Sequence, residues 1–333
     1  MILFDFSQII HNNIYSLKED IIKKGLTENM QFLKHRIITH ILHVANIYKQ
    51  HSEIVLCADS KNNWRLDIHP HYKGRRKLRR VDDGFPWKEF WVHLNVFEKE
   101  LIELFPFNFI KIDRAEGDDV IGTLVKYVHK TRPTEEIVII SNDKDFKQLH
   151  YDKRVKQYDH KQKKEIKTLN NINELMILAL CGDSADDVLN VKTTDIDTFI
   201  NPNKKQLTMW RTTKIWEHIT NNTVKDELLV DIIRKNPKTK KNEVIVTKEQ
   251  LLKNFERNMD LVDLRRIPVE IQKEILYEYE RNYDLIPTKG SMPLLQYFIK
   301  QKMRVLVDRV DEFDKFVNFQ NKNVDNGINE WLI

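Results

Sequence analysis

Three short apolar runs in this chain end on aspartate: Ile2-Leu3-Phe4-Asp5, Ile54-Val55-Leu56-Cys57-Ala58-Asp59 and Ile137-Val138-Ile139-Ile140-Ser141-Asn142-Asp143-Lys144-Asp145. Short aliphatic and β-branched runs separated by stretches of helical period predict an α/β fold with a mostly parallel sheet flanked by helices on both faces. Ligands of such sheets bind beyond the carboxyl ends of the strands, where these aspartates fall. Two more acidic clusters, Glu116-Gly117-Asp118-Asp119 and Gly182-Asp183-Ser184-Ala185-Asp186-Asp187, follow helical signals. Carboxylates gathered at one place repel one another and raise each other's pKa unless cations sit between them. An oxygen-only donor set without His or Cys selects Mg²⁺ or Mn²⁺, and the chemistry implied is phosphoryl transfer to water.

Composition narrows the class. The 333 residues are 41% hydrophobic and 32% charged, enough for a large core, and no apolar run approaches the roughly 20 residues that cross a bilayer. A first strand that begins at Ile2 has no secretory layout, so a soluble cytoplasmic protein without membrane contact is expected. Cys57 and Cys181 lie in apolar stretches and read as buried thiols. The net charge is +5, and its distribution says more: six of the eight residues from Lys73 to Arg80 are basic. A cation stripe beside an anionic metal site suits a polyphosphate substrate.

Along the chain, helical periods cover Asn29–Lys49, Trp87–Phe105 and about 115–130, with a short strand at Phe109–Ile112. A short helix at Asp145–His150, a hairpin over Arg154–Lys167 and a helix from Asn173 to Cys181, stopped by Gly182, follow. Beyond about Val191 the β-rich pattern fades, which places a boundary near 190. Behind it lies a smaller helical region, with helices expected near 211–221, 225–234, 247–257, 268–282 and 291–319 and basic loops at Asn203–Lys205 and Lys235–Lys241.

Singly, Asp5, Asp59 and Asp143 read equally well as helix caps. Asp143 and Asp145, two apart on a tight turn, can each reach a metal. Glu116 and Asp118 fall on nearly opposite faces of a regular helix, unless Glu116 sits in the non-helical cap. Asp183 and Asp186 either share a face or cap the next turn. Their joint occurrence favours a metal pair, which binds the attacking and leaving oxygens of an in-line displacement. The histidines read as packing or surface residues. The segment Trp64–Lys77 mixes aromatic rings that stack on unpaired bases with cations that clamp phosphates. It also reads as a solvated basic loop. Its place near Asp59 puts Lys73 or Arg76 within reach of a scissile phosphate.

With these residues together, the chain resembles the flap endonuclease/5′-nuclease superfamily, most closely its T-even phage ribonuclease H branch. The matching stretches are Leu3–Gln8, Val55–Asp59, Trp64-Arg65, Tyr72–Arg76, Glu116–Gly122, Ser141–Phe146 and Gly182–Asp187. They span residues 1–190, with weaker similarity to about 305. The resemblance implies that Asp5, Asp59, Glu116, Asp118, Asp143, Asp145, Asp183 and Asp186 hold two Mg²⁺ ions, with Asp119 acting less directly. It implies catalytic cations at Lys73 and Arg76, at the base of a helical arch near 73–98 through which a 5′ single strand passes. Arg65 and Tyr72 match positions near that strand, and Arg75, Lys77, Arg79 and Arg80 extend the basic stripe. Residues 1–190 are then the nuclease domain, and 191–333 a region for duplex and partner binding. The implied function is removal of RNA primers and adjoining DNA from lagging-strand fragments by 5′→3′ exonuclease and flap cleavage. Substrates are RNA–DNA and DNA duplexes with 5′ ends or flaps. A monomer is expected, with a single-stranded-DNA-binding protein docking on the C-terminal region. Trp331-Leu332-Ile333 reads either as a sliding-clamp hook or as a frayed tail.

Two departures stand out. The family's glycine-rich, duplex-gripping turn with its monovalent ion is replaced by Leu189–Thr194, which shifts duplex contacts to Lys192, Lys204, Lys205 or Arg211. Asp187 replaces the usual Asn. Competing readings are an aspartyl-phosphate phosphatase, which needs an acid where Ser7 stands, a non-catalytic branched-DNA-binding protein and a PIN-type ribonuclease.

Overall fold

The computed structural model describes residues 1–76, 83–168, 170–193, 209–285 and 290–317. Its six-stranded sheet runs in the order β3-β2-β1-β4-β5-β6. The strands are β1 (Ile2–Asp5), β2 (Ile54–Cys57), β3 (Asn108–Ile110), β4 (Ile137–Ile140), β5 (Val155–Asp159) and β6 (Lys164–Ile166). All neighbours are parallel except the β5–β6 hairpin. Strand residues alternate between faces. Ile2, Phe4, Ile54, Leu56, Val138 and Ile140 join one apolar core with helices Phe6–Lys24, Leu26–Ile47 and Trp87–Leu104. Leu3, Val55 and Ile139 point the other way and are equally buried; helix Gly117–Thr131 packs there against β1 and β2.

Contacts divide the chain into two compact units. The first comprises Met1–Asn63, Asp83–Lys167 and Ile267–Ile333; the second comprises Trp64–Asp82 and Thr168–Arg266. This grouping differs from a single division near residue 190, because helix Val269–Leu285 returns to the sheet. Asn282 Nδ2 donates to the Phe109 carbonyl at 2.9 Å, and Asn108 Nδ2 donates to the Tyr279 carbonyl at 2.8 Å. These bonds cover the edge of β3, which would otherwise offer unpaired backbone to another strand. Behind them, buried Glu53 accepts from Arg132 Nη1 at 2.9 Å and from the Tyr279 hydroxyl, which also accepts from Arg132 Nη2 at 2.9 Å. The Glu53 carboxylate holds the Arg132 guanidinium well above its usual pKa against the opposing effect of burial.

The second unit packs helices Asn171–Cys181, Thr212–Thr220 and Lys248–Val262 around Leu178, Leu180, Ile215, Leu251 and Phe255. Between the last two helices lie a π-turn, Val224–Leu228, and an antiparallel hairpin of β7 (Ile232–Lys235) and β8 (Asn242–Val246). The expected helix over 225–234 is therefore corrected: the β-branched pair Ile232-Ile233 pairs with Val244 and Val246 across a Pro237-containing turn. The arch is expected over 73–98, of which residues 77–82 lie outside the described residues. Phe85, Phe90, Leu94 and Phe97 are buried in the first unit's core, so residues 87–98 form a packed helix.

Candidate active site

Carboxylates collect at one end of four adjacent parallel strands. Asp5 closes β1, and Asp59 lies just past β2. Glu116 and Asp118 open the helix that follows β3, and Asp143 and Asp145 follow β4. Chain order reverses between β1 and β4, which is where open α/β sheets form their binding crevice.

The strand-end turns hold these acids in place. Asp5 caps helix Phe6–Lys24, its Oδ1 accepting from Gln8 N at 2.9 Å. Its Oδ2 accepts from Ser141 Oγ at 2.9 Å, and that hydroxyl accepts from Asp143 N at 3.0 Å. Asp143 Oδ1 accepts from Asp145 N at 3.0 Å. Asp59 N donates to Ser7 Oγ at 2.9 Å, while Asp59 Oδ1 accepts from Gly117 N at 2.8 Å. Capping and clustering are thus the same geometry. Glu116 occupies the extended N-cap position, with φ −95° and ψ 162°, which removes the objection that it must face away from Asp118. Fully buried Asp119 accepts from Glu116 N at 2.9 Å and fixes that cap. Ser7, Gln8 and Ser141 are the positioning residues that sequence reasoning did not single out; their signal was their place beside Asp5 and Asp143.

Crowding has an electrostatic cost. Burial, then the charges of Asp59 and Asp143, push the Asp5 carboxyl up to about 7. Burial and the charges of Asp5 and Asp118 raise the Cys57 thiol well above its usual value. Among the described residues no three His, Cys, Asp or Glu side chains form a ready-made coordination group. The donor set nevertheless fits a hard divalent cation: it is oxygen-only, with Asp5 and Glu116 buried and Asp5 repelled by Asp59 and Asp143.

Gly117 permits the close approach. A Cβ there would stand 2.9 Å from the Cys57 carbonyl oxygen and 3.3 Å from Asp59 Oδ1. Gly117→Ala is expected to cost ~1–3 kcal/mol through the backbone shift it forces, read as a lowered Tm together with slowed turnover.

In the second unit, Asp183 Oδ1 accepts from Ala185 N at 2.7 Å, and its backbone pairs with Val188. Asp186 accepts from Arg76 Nη2 at 2.6 Å and from the Tyr72 hydroxyl at 3.2 Å, with Lys73 Nζ at 3.6 Å. Asp187 has φ +60°, a left-handed conformation that Asn and Asp tolerate better than most residues. Its carboxylate accepts from Arg75 Nε and, at 2.9 Å, from Arg75 N. Arg65, expected near the substrate strand, is 2% exposed, donates to the Leu261 carbonyl at 2.7 Å and lies over the Trp64 and Tyr72 rings. Tyr72 is likewise buried. Lys192 Nζ sits 5.0 Å from the Trp210 ring centre, and Arg211 is exposed. Lys77, Arg79, Arg80, Lys204, Lys205 and Trp331–Ile333 lie outside the described residues.

A family model for the 5′-3′ exonuclease N-terminal, resolvase-like domain matches residues 1–177. The chain belongs to the 5′-3′ exonuclease family. Ribonuclease H of Enterobacteria phage T4 is 28% identical over 320 residues, 93% of this chain and 95% of that relative. A crystal structure of T5 5′-exonuclease with bound divalent zinc ions has TM-score 0.58 and 16% identity, covering 86% of this chain and 99% of that one. A T5 flap endonuclease in a pseudo-enzyme-product complex with DNA and metal ions has TM-score 0.56 and 16% identity, covering 76% of this chain and 90% of that one. At such identity these two likenesses are of fold. No described helix is long and apolar enough to cross a membrane.

Proposed function

We propose that this 5′-3′ exonuclease family member is a Mg²⁺-dependent 5′→3′ exonuclease and flap endonuclease that removes RNA primers and adjoining DNA from lagging-strand fragments during phage replication. The observation that carries this reading is the gathering of Asp5, Asp59, Glu116, Asp118, Asp143 and Asp145 at the carboxyl ends of four neighbouring strands. These six, with Asp183 and Asp186 of the second unit, would hold two Mg²⁺ ions, for which Mn²⁺ would substitute. Bound divalent ions supply Lewis-acid help to the attack of water on the phosphodiester and to the departure of the 3′-oxygen.

The chain's own groups prepare that reaction. Ser141 and the Gly117 amide hold the Asp5 and Asp59 carboxylates and Ser7 holds the Asp59 backbone, so little reorganisation remains when substrate arrives. Lys73 and Arg76 converge on Asp186; a substrate phosphate that takes over part of this pairing meets two preset cations. Exposed Tyr15 and Trp91 flank His11 and offer stacking faces to an unpaired 5′ strand. A monomer working in the host cytoplasm beside a single-stranded-DNA-binding protein completes the reading.

A 5′-labelled flap, a nicked duplex and an RNA-primed duplex, each incubated with Mg²⁺ and with EDTA, test it. Short 5′ products from all three in Mg²⁺ and none in EDTA are expected. Cleavage that persists in EDTA, or no cleavage of any of them, would overturn it.

A further inference from the structure

The β7–β8 hairpin has no place in the reading so far. Residues 232–246 carry five cations (Arg234, Lys235, Lys238, Lys240 and Lys241) against a single acid, Glu243. All five are exposed, and none makes an ion pair among the described residues. A run of lysines in a loop is ordinarily a solvated surface. This one is built. Asn236 Oδ1 accepts from Lys238 N at 2.9 Å and from Thr239 N at 3.2 Å. The turn is closed by Asn236 N donating to the Lys241 carbonyl at 2.8 Å and Lys240 N donating to the Asn236 carbonyl at 2.9 Å. Lys240 adopts φ +58° to complete it. The lone acid is engaged by a neutral group, Glu243 Oε1 accepting from Asn236 Nδ2 at 2.7 Å. The lysines are therefore held on an ordered turn with no ion pair among the described residues, while Arg234 stands opposite Glu243 across the ribbon.

Two further observations point outward. Ile233 and Val244 pair across the ribbon and are 59% and 50% exposed, an apolar step between charged neighbours. At the ribbon's base the cations continue: burial, and then the charges of Lys214 and Arg234, hold the Lys192 ammonium below the usual lysine value. Like charges gathered at such cost are relieved by a dense row of anions.

We propose that the β7–β8 ribbon is a second binding element for double-stranded DNA, its cations straddling backbone phosphates of the duplex arm and its Ile233–Val244 pair facing a groove. The chemistry favours duplex over a single strand. A two-stranded ribbon is one of the elements that the ~12 Å major groove admits, and a duplex offers phosphates on both sides of it. The proposal rests on the nuclease reading and assigns to that substrate a contact outside the carboxylate site. It also gives the chain a duplex grip where the glycine-rich turn is missing.

The test removes charge without touching the fold: Lys235→Gln, Lys238→Gln, Lys241→Gln and Lys240→Asn, the last because Asn tolerates a positive φ. Binding to a blunt duplex and to a single strand of equal length is measured in EDTA across a salt series, with Tm as control. The log–log salt slope for duplex falls by about 2–4, at about 0.9 per lost phosphate contact. Duplex affinity falls at least ~30-fold at low salt, single-strand binding changes little, and turnover at saturating flap persists. An unaltered duplex slope overturns the assignment and leaves the ribbon to an acidic protein partner. An equal loss on both ligands overturns the duplex preference. Flap cleavage by the unsubstituted protein is scored in parallel with Mg²⁺, so failure of the nuclease reading shows separately as its inactivity there.

Discussion

Asp5→Asn is expected to lower turnover on a labelled 5′ flap by roughly 10³-fold or more, the equivalent of about 4 kcal/mol of lost transition-state stabilisation. Asn keeps the helix cap, because its side-chain oxygen still accepts from Gln8 N. It also removes one negative charge from a buried site that Asp59 and Asp143 repel. Metal-free protein should therefore melt at the same temperature or higher than the unsubstituted chain. The carboxyl is raised from 3.8 to about 7, so its unfavourable contribution is absent below the lower value and complete above the upper one. The gain in Tm should accordingly be larger at pH 8 than at pH 4. Added Mg²⁺ should stabilise the unsubstituted chain and much less the variant, since a ligand that binds only the folded state at about 100 times its Kd contributes about 2.7 kcal/mol. Wild-type turnover in the variant would remove Asp5 from the site.

Arg132→Leu is expected to destabilise the chain by about 3–5 kcal/mol, because it strands the Glu53 carboxylate, 3% exposed, with only the Tyr279 hydroxyl for support. Thermal or urea melting reads the loss directly. Turnover measured well below the melting range should be nearly unchanged, since the triad lies at the opposite end of β2 from Asp59. A companion Glu53→Gln replacement in the Arg132→Leu background should recover part of the loss by removing the orphaned charge. An unaltered Tm for Arg132→Leu would mean that the ion pair is offset by its own desolvation.

Much of the sheet was legible because strand signals and strand-end acids are local. Ile2–Asp5, Ile54–Asp59 and Ile137–Asp145 each announce a buried strand and its terminal carboxylate within a few residues. The cap position of Glu116 was open from sequence and is settled by backbone geometry. Helix Phe6–Lys24 is not among the elements expected from sequence, although Ile9, Ile10, Ile14, Leu17 and Ile21 carry its period. Burial of Arg65 was hidden, because an arginine beside Trp64 and Tyr72 looks alike on a surface and in a packed stack. The pairing of Asp186 with Lys73 and Arg76 spans more than a hundred residues, and no local pattern encodes it. The β7–β8 hairpin was obscured by its own charge, since lysines interrupted the alternation that β-branched residues at its two ends retain.

The return of helix Val269–Leu285 to the sheet has a bearing on how the chain is made. Translation delivers β1 to β6 first, yet the outer edge of β3 and the partner of Glu53 and Arg132 arrive more than a hundred residues later. Until Tyr279 and Asn282 are in place, β3 has an uncovered edge and the Glu53–Arg132 pair lacks its hydroxyl partner. Closure of that sheet edge is thereby made a long-range step, separate from the local strand-end turns that place the carboxylates.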